Sequence, residues 1–126
     1  MTSSTIEDYF AGKPHSREIF DAVVGRIAAQ GPYEMAVASQ VSFKVDRKFA
    51  WFWLYNVTKK DPNGVPHLML AIDRKVEDSH VRDISQVSKS RWNHQIVVRT
   101  LDDATSGWLG NLIQRAYRYG TGEKSG

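Results

Sequence analysis

The stretch that most constrains this chain is residues 49–56, FAWFWLYN, which places five aromatic side chains within eight residues. Aromatic residues favour β-strands because they pack well on a pleated, half-buried surface. Side chains alternate between the two faces of a strand. The odd-numbered aromatics are therefore expected on one face, namely Phe49, Trp51, Trp53 and Tyr55. The even-numbered residues share the other face, namely Ala50, Phe52 and Leu54. Both faces are apolar, which predicts a central strand covered by helices on at least one side.

The bulk composition narrows the classes of protein that fit. The chain has 126 residues, which suits a single domain over residues 1–126. It contains no cysteine, so disulfides, thiolate catalysis and cysteine-bound zinc are excluded. It opens with no signal-like segment, and no apolar run approaches the roughly 20 residues that cross a bilayer. A cytoplasmic protein without a membrane partner is expected, and its net charge of +3 permits an anionic partner.

Hydrophobic spacing predicts an α+β fold. Apolar residues recur with helical period from Ile19 to Ala28, after Ser16 as the expected N-cap and before a stop at Gly31. Alternating patterns then predict a meander of about five antiparallel strands, whose segments are 33–40, 41–45, 49–56, 67–72 and 94–99. A final helix is expected to begin at Asp102 or Asp103 and to end at Gly120. We expect the N-terminal and C-terminal helices to pack on one face of the sheet.

Two further expectations concern less regular parts of the chain. Between Arg74 and Trp92 the spacing of Val81, Ile84 and Val87 favours a short helix capped by Asp78 or Ser79. Residues 14–120 are expected to form the ordered core, and residues 1–5 and 121–126 to be disordered.

Four segments in fixed order carry a family resemblance: REIFDAV at 17–23, VSFKVDRKFAWF at 41–52, RWNHQIVVR at 91–99 and QRAYRYG at 114–120. Together they resemble a bacterial and archaeal family catalogued as domain of unknown function 5655, over roughly residues 14–120. The resemblance implies a small cytoplasmic domain with no catalytic residue to transfer. It also implies an association with nucleic-acid-processing domains. Lys44 and the pair Phe49–Ala50 stand at positions typical of the family, whereas Trp53 is bulkier than the residue expected there.

The candidate site residues are aromatic and basic. Trp51 and Trp53 share a strand face and can form a flat platform for a base, a sugar ring or a cationic ligand; the alternative is that both belong to the core. Ser90, Arg91 and His94 belong to the polar segment 88–94. Their hydroxyl, guanidinium and imidazole groups can hold a phosphate or carboxylate. The alternative there is a plain connecting loop.

Lys44 belongs to a group of basic residues near the first turns of the meander, which can follow the phosphates of a single strand while the aromatic rings stack on its bases. The alternative is that these charges are simply solvated. Interspersed acidic residues such as Asp46 and Asp61 weaken the positive field.

No enzyme motif emerges from the sequence. The four histidines, at positions 15, 67, 80 and 94, show no metal-ligand spacing, and no glycine-rich phosphate loop follows a strand. We therefore expect no catalytic residue, no metal and no cofactor. The leading hypothesis is a binding module for an anionic ligand, such as nucleic acid or a nucleotide-like molecule. The alternative is a protein-interaction domain that forms a homodimer.

Overall fold

A computed structural model describes residues 5–122 of the chain. Four helices lie in this part, namely α1 (Ile6–Tyr9), α2 (Pro14–Ala28), α3 (Leu101–Ala104) and α4 (Gly107–Thr121). Six strands lie between α2 and α3, namely β1 (Glu34–Val37), β2 (Val41–Lys44), β3 (Lys48–Tyr55), β4 (Val65–Ile72), β5 (Val81–Ser88) and β6 (Arg91–Val97). The α+β prediction is confirmed. The prediction of disorder at residues 1–5 and 121–126 concerns mainly residues 1–4 and 123–126, which lie outside the described part; within it, Thr5 caps α1 and Thr121 belongs to α4.

The six strands form one antiparallel sheet in the order β1-β2-β3-β4-β6-β5. The first four strands follow the predicted meander. The last two form a hairpin that turns back, so that β6 pairs with β4 and β5 lies at the edge. The aromatic strand β3 and its neighbour β4 are therefore central, as the apolar character of both faces of residues 49–56 predicted.

The two long helices, α2 and α4, pack on one face of the sheet. Phe20 of α2 meets Phe43 and Phe52 with ring centroids 6.2 and 5.1 Å apart. The Arg26 guanidinium joins the two helices, because its Nη1 donates hydrogen bonds to the carbonyl oxygens of Ala104 and Ser106, at 3.1 and 2.6 Å. This packing confirms that the N-terminal and C-terminal helices share one face and buries the core between them and the sheet.

The predicted helix ends are shifted by local interactions. Ser16 lies inside α2, which begins at Pro14, because proline suits the first helical turn. The Ser16 hydroxyl donates to the carbonyl oxygen of Asn63 at 2.8 Å, so it ties the helix to the β3–β4 loop. At the other end of the chain, Gly122 in the left-handed conformation ends α4, two residues beyond the predicted stop at Gly120.

Phe49 does not lie on the face that simple alternation predicts. Phe43 pairs with Ala50, and the next residue of β2, Lys44, pairs with Lys48. Phe49 is therefore the extra residue of a β-bulge, which re-aims side chains on the bulged strand. Its fully buried ring meets Tyr117 of α4 edge-on, with centroids 5.6 Å apart. The bulge thus adds a third aromatic side chain to the helix-covered face.

The prediction of a helix over residues 78–87 is wrong, because residues 81–88 form the edge strand β5. Register shifts between Val81 and Asp83 and between Gln86 and Ser88 interrupt its pairing with β6. These irregularities break the period-two pattern of a strand and leave apolar residues three apart, which mimics one face of a helix.

Candidate functional site

The face of the sheet opposite α2 and α4 carries a continuous set of ring and amide side chains. Pairing places Trp51 beside Ser42 and Met69, and Met69 beside Gln95. The next row joins Trp53, His67 and Val97. We call this surface the open face, defined by Trp51, Trp53, His67, Met69, Asn93 and Gln95. Most of its members are half-buried, since they cover one another without a helix above them.

Trp51 lies under a cation at one end of the open face. The Arg91 guanidinium carbon lies 5.1 Å from the centre of the Trp51 ring, within the range of a cation–π interaction. Arg91 Nε also donates to Asn93 Oδ1 at 3.2 Å. Ala71 lies in the sheet between β3 and β6 at this level, and its small side chain leaves room for the arginine to reach the indole.

A shallow cavity of about 160 Å³ lies beside the two tryptophans, and it is lined by Gln40, Trp51, Trp53, Met69 and Asn93. Its walls combine indole rings with amide groups. Pockets that bind small molecules commonly pair apolar walls with a few polar groups that fix orientation.

Trp53 begins a second aromatic group on the same face. The His67 ring lies between Trp53 and Tyr55, with centroid distances of 5.3 and 5.5 Å. His67 Nδ1 lies 3.0 Å from the carbonyl oxygen of Val65. A carbonyl only accepts hydrogen bonds, so Nδ1 carries the proton and Nε2 of the neutral ring is an acceptor.

His67 Nε2 is the second polar atom of this ring. The residue as a whole is only 5% exposed. Within residues 5–122 every buried side-chain nitrogen or oxygen has a partner, and no partner of Nε2 occurs among them. Nε2 is therefore not completely enclosed by the protein.

Lys44 and Ser90, two of the predicted site residues, lie at the rim rather than at the centre. Lys44 ends β2, and its exposed side chain lines a separate cavity of about 280 Å³ that also includes Glu34 and Asp46. Ser90 is exposed in the turn between β5 and β6, directly before Arg91. The structure thus brings Trp51, Trp53 and Arg91 together, whereas Lys44 and Ser90 lie outside this group.

His94, the remaining predicted site residue, lies on the other face of the sheet and is fully buried. Its Nε2 accepts a hydrogen bond from the Val76 N–H at 3.0 Å, and its Nδ1 donates to the carbonyl oxygen of Trp92 at 3.1 Å. Both ring nitrogens are occupied by the backbone, and burial lowers the pKa of His94. The structure therefore places His94 apart from Trp51, Trp53 and Arg91, with both ring nitrogens bonded to the backbone.

Sequence reasoning did not select His67, Asn93 or Gln95 as site residues. Strand alternation could have indicated His67, because it lies on the strand after the predicted hairpin and faces away from Leu68. In the structure it pairs with Trp53. Asn93 and Gln95 depend on a contact between distant parts of the chain, since they reach this face through the pairing of β6 with β4 in addition to its pairing with β5.

A separate polar cluster lies near the start of β5. His80 stacks in parallel on the Trp108 indole of α4, with centroids 4.0 Å apart, and its Nδ1 lies 2.7 Å from Asp78 Oδ1. The His80 backbone N–H also donates to Asp78, and this bond is the main reason that the pKa of Asp78 is lowered. The cluster fastens the β4–β5 connection to α4. No group of three or more metal-ligating side chains occurs within residues 5–122.

Comparison with known proteins places the chain in a family. A protein-family model described as a domain of unknown function, DUF5655, matches residues 6–120. The chain belongs to this family. The match covers the fold from α1 to the end of α4 and so includes every strand of the open face. No curated protein and no solved structure matches the chain. Within the described residues, none of the helices has the length and apolar character needed to span a membrane.

Proposed function

We propose that this DUF5655 domain is a binding module that holds an anionic ligand with planar rings, such as single-stranded nucleic acid or a nucleotide-like molecule, on its open face. The observation that carries the proposal is the group formed by Trp51, Trp53 and Arg91. Two indoles lie side by side on a face that no helix covers, and a guanidinium lies against one of them.

The chemistry of the open face suits rings attached to phosphates. Tryptophan faces stack on bases of any sequence, and each stacked base contributes roughly 1–3 kcal/mol. Arg91 provides the charge-assisted donors that phosphate oxygens prefer. His67 Nε2 and the Asn93 amide offer polar atoms that can bond the edge of a stacked ring. Each part of a nucleotide therefore has a matching group within this surface.

Fluorescence anisotropy of a labelled oligothymidylate, measured over a series of salt concentrations, tests the proposal. Affinity should fall steeply with salt, because phosphate contacts release counterions. Trp51→Ala and Trp53→Ala should each weaken binding by roughly 1–3 kcal/mol. Trp108→Ala is the matched control, since Trp108 lies on α4, beyond the opposite face of the sheet. Absence of binding, or an equal loss in the control, would contradict the proposal.

Self-association is the second candidate, and the ring surface of the open face is the observation that favours it. Trp51, Trp53 and Met69 would be covered if two copies packed face to face, and a twofold arrangement is the commonest closed assembly. Sedimentation equilibrium over a wide concentration range decides between the candidates. A strict monomer that binds oligonucleotide excludes self-association, whereas a dimer that loses oligonucleotide binding as it forms favours it.

A further inference from the structure

The open face continues past the two tryptophans into a third row of side chains. Tyr55 pairs with Val65. The Val98 N–H donates to the carbonyl oxygen of Pro66 at 2.9 Å, which extends the pairing of β4 with the chain after β6. The same register places Arg99 beside Val65, and strand alternation places it on the side of Val97. The third row therefore consists of Tyr55, Val65 and Arg99.

Rings connect this row to the tryptophans without a gap. The His67 ring contacts both Trp53 and Tyr55, as described above. Tyr55 is 61% exposed, so one side of its ring is free to receive a planar group. Trp51, Trp53 and Tyr55 lie two residues apart along β3, which spaces them about 6.6 Å from one another. The strand thus presents three aromatic positions at regular intervals.

Basic residues stand at both ends of this aromatic line: the Arg91 guanidinium lies over Trp51, and the strand register places Arg99 level with Tyr55. Arg91 and Arg99 are eight residues apart on one extended segment, a separation of about 26 Å. Arg99 lines a cavity of about 260 Å³ together with His15, Asp61, Asn63, Gly64, Val65 and Pro66. One nucleotide is too short to reach from one arginine to the other. An extended polynucleotide can reach both while its bases occupy the rings between them.

We infer that the ligand of the open face is single-stranded nucleic acid of at least three nucleotides, with bases on Trp51, Trp53 and Tyr55 and phosphates near Arg91 and Arg99. This inference rests on the proposed function and goes beyond it, because it excludes a mononucleotide as the natural ligand. Asp61 is the opposing charge at the Arg99 end. Among residues 5–122, the hydrogen bonds of Asp61 are formed by its backbone atoms, so its carboxylate can be neutralised without breaking them.

Isothermal titration calorimetry with mono-, di-, tri- and tetrathymidylate tests the inference. Affinity should increase at each step of this series, through the third base up to the trinucleotide and through Arg99 at the tetranucleotide. Tyr55→Ala should weaken trinucleotide binding roughly 5- to 150-fold and leave dinucleotide binding unchanged. Arg99→Gln should weaken tetranucleotide binding and reduce its salt dependence by about one counterion. Asp61→Asn should strengthen the same binding.

Arg118→Gln is the matched control for Arg99→Gln, because Arg118 is an exposed residue of α4. Circular dichroism confirms that each variant is folded, which is expected since Tyr55 and Arg99 are both exposed. Two results overturn the inference and leave the proposed function standing. One is an affinity that stops increasing at the mono- or dinucleotide. The other is wild-type affinity in either Tyr55→Ala or Arg99→Gln. Failure of the wild-type protein to bind any of the four lengths overturns the proposed function itself.

Discussion

The two faces of β3 differ in what covers them, although both are aromatic. On one face Phe52 is completely buried, with the rings of Phe10 and Phe20 at 6.0 and 5.1 Å. On the other face Trp51 and Trp53 remain half-buried, with Arg91 and His67 as their neighbours. The comparison shows that aromatic content does not identify a core. The helices determine which face becomes the core, because they cover one face and leave the other in contact with polar side chains.

The largest expected effect is a difference in stability between the two faces. Phe52→Ala removes a ring from a closed interior and should lower the free energy of unfolding by about 3–5 kcal/mol. Trp51→Ala should cost clearly less, since the half-buried indole leaves no closed void. Urea denaturation of both variants measures the difference. A larger loss for Trp51→Ala than for Phe52→Ala would show that the covered and open faces are reversed.

A smaller effect is expected where α4 approaches the covered face most closely. A Cβ added at Gly120 would lie 2.6 Å from a ring carbon of Phe49 and 3.2 Å from its Cβ, so the ring cannot simply rotate away. Gly120→Ala should therefore destabilise the protein by about 1–3 kcal/mol.

Gly25→Ala is the matched control for this change. Gly25 lies within α2, and nothing lies within 4 Å of its added Cβ. The same substitution should stabilise the protein there by roughly 0.5–1 kcal/mol, because alanine is the better helix former. Thermal denaturation of the two variants should give shifts of opposite sign. Equal shifts would contradict the close contact between Phe49 and α4.

A pH-dependent effect should distinguish the two faces of β6. Burial holds the pKa of His94 below the ordinary histidine value of about 6.5. The unfolded chain therefore takes up a proton before the folded one as the pH falls. Stability should be complete above about pH 6.5 and should decrease below it until the lower folded-state pKa is passed. Urea titrations at several pH values measure this decrease.

His94→Gln provides the comparison, because glutamine does not titrate and can still accept the hydrogen bond from Val76. The variant should lose the decrease in stability that His94 causes below about pH 6.5 and keep the part that carboxylates such as Asp78 cause at lower pH. If the free energy of unfolding changes equally with pH in the wild-type protein and the variant, the assignment of His94 as neutral and bonded to the backbone is wrong.

The smallest effect concerns Arg91, three residues earlier on the same strand but facing the other way. Arg91→Gln should change stability by only about 0.5–1 kcal/mol, the usual size of an exposed cation–π interaction. In a plot of the logarithm of oligonucleotide affinity against the logarithm of salt concentration, Arg91→Gln should reduce the slope by about one. Arg118→Gln on α4 should leave the slope unchanged. An unchanged slope in Arg91→Gln would remove this arginine from the proposed phosphate contacts.

Local patterns were enough to predict part of this comparison. Alternation along residues 49–56 placed Phe52 and Trp51 on opposite faces, and helical spacing near Phe20 predicted the covering helix. These signals are local, since the period of the side chains is set by the backbone itself. The α+β class and the shared face of Trp51 and Trp53 followed from them.

The remaining features depend on contacts between distant residues. Phe49 lies on the covered face because of a bulge and a helix more than sixty residues later, and neither alters the spacing of the strand sequence. His94 resembles an exposed residue at a strand end, but its partner is the Val76 amide in a preceding loop. The edge strand 81–88 was interpreted as a helix because its irregular pairing disrupts alternation. Such features become predictable only once the order of the strands is known.

The distribution of the four tryptophans has a consequence for optical spectroscopy. Trp51 and Trp53 lie on the open face, Trp92 pairs with Ile72 on the covered side of the sheet, and Trp108 stacks against His80 on α4. A molecule seated on the first two should shield both from dissolved iodide or acrylamide. Single-tryptophan variants would therefore assign each emission signal to one region, so the protein carries its own unlabelled reporter of occupancy.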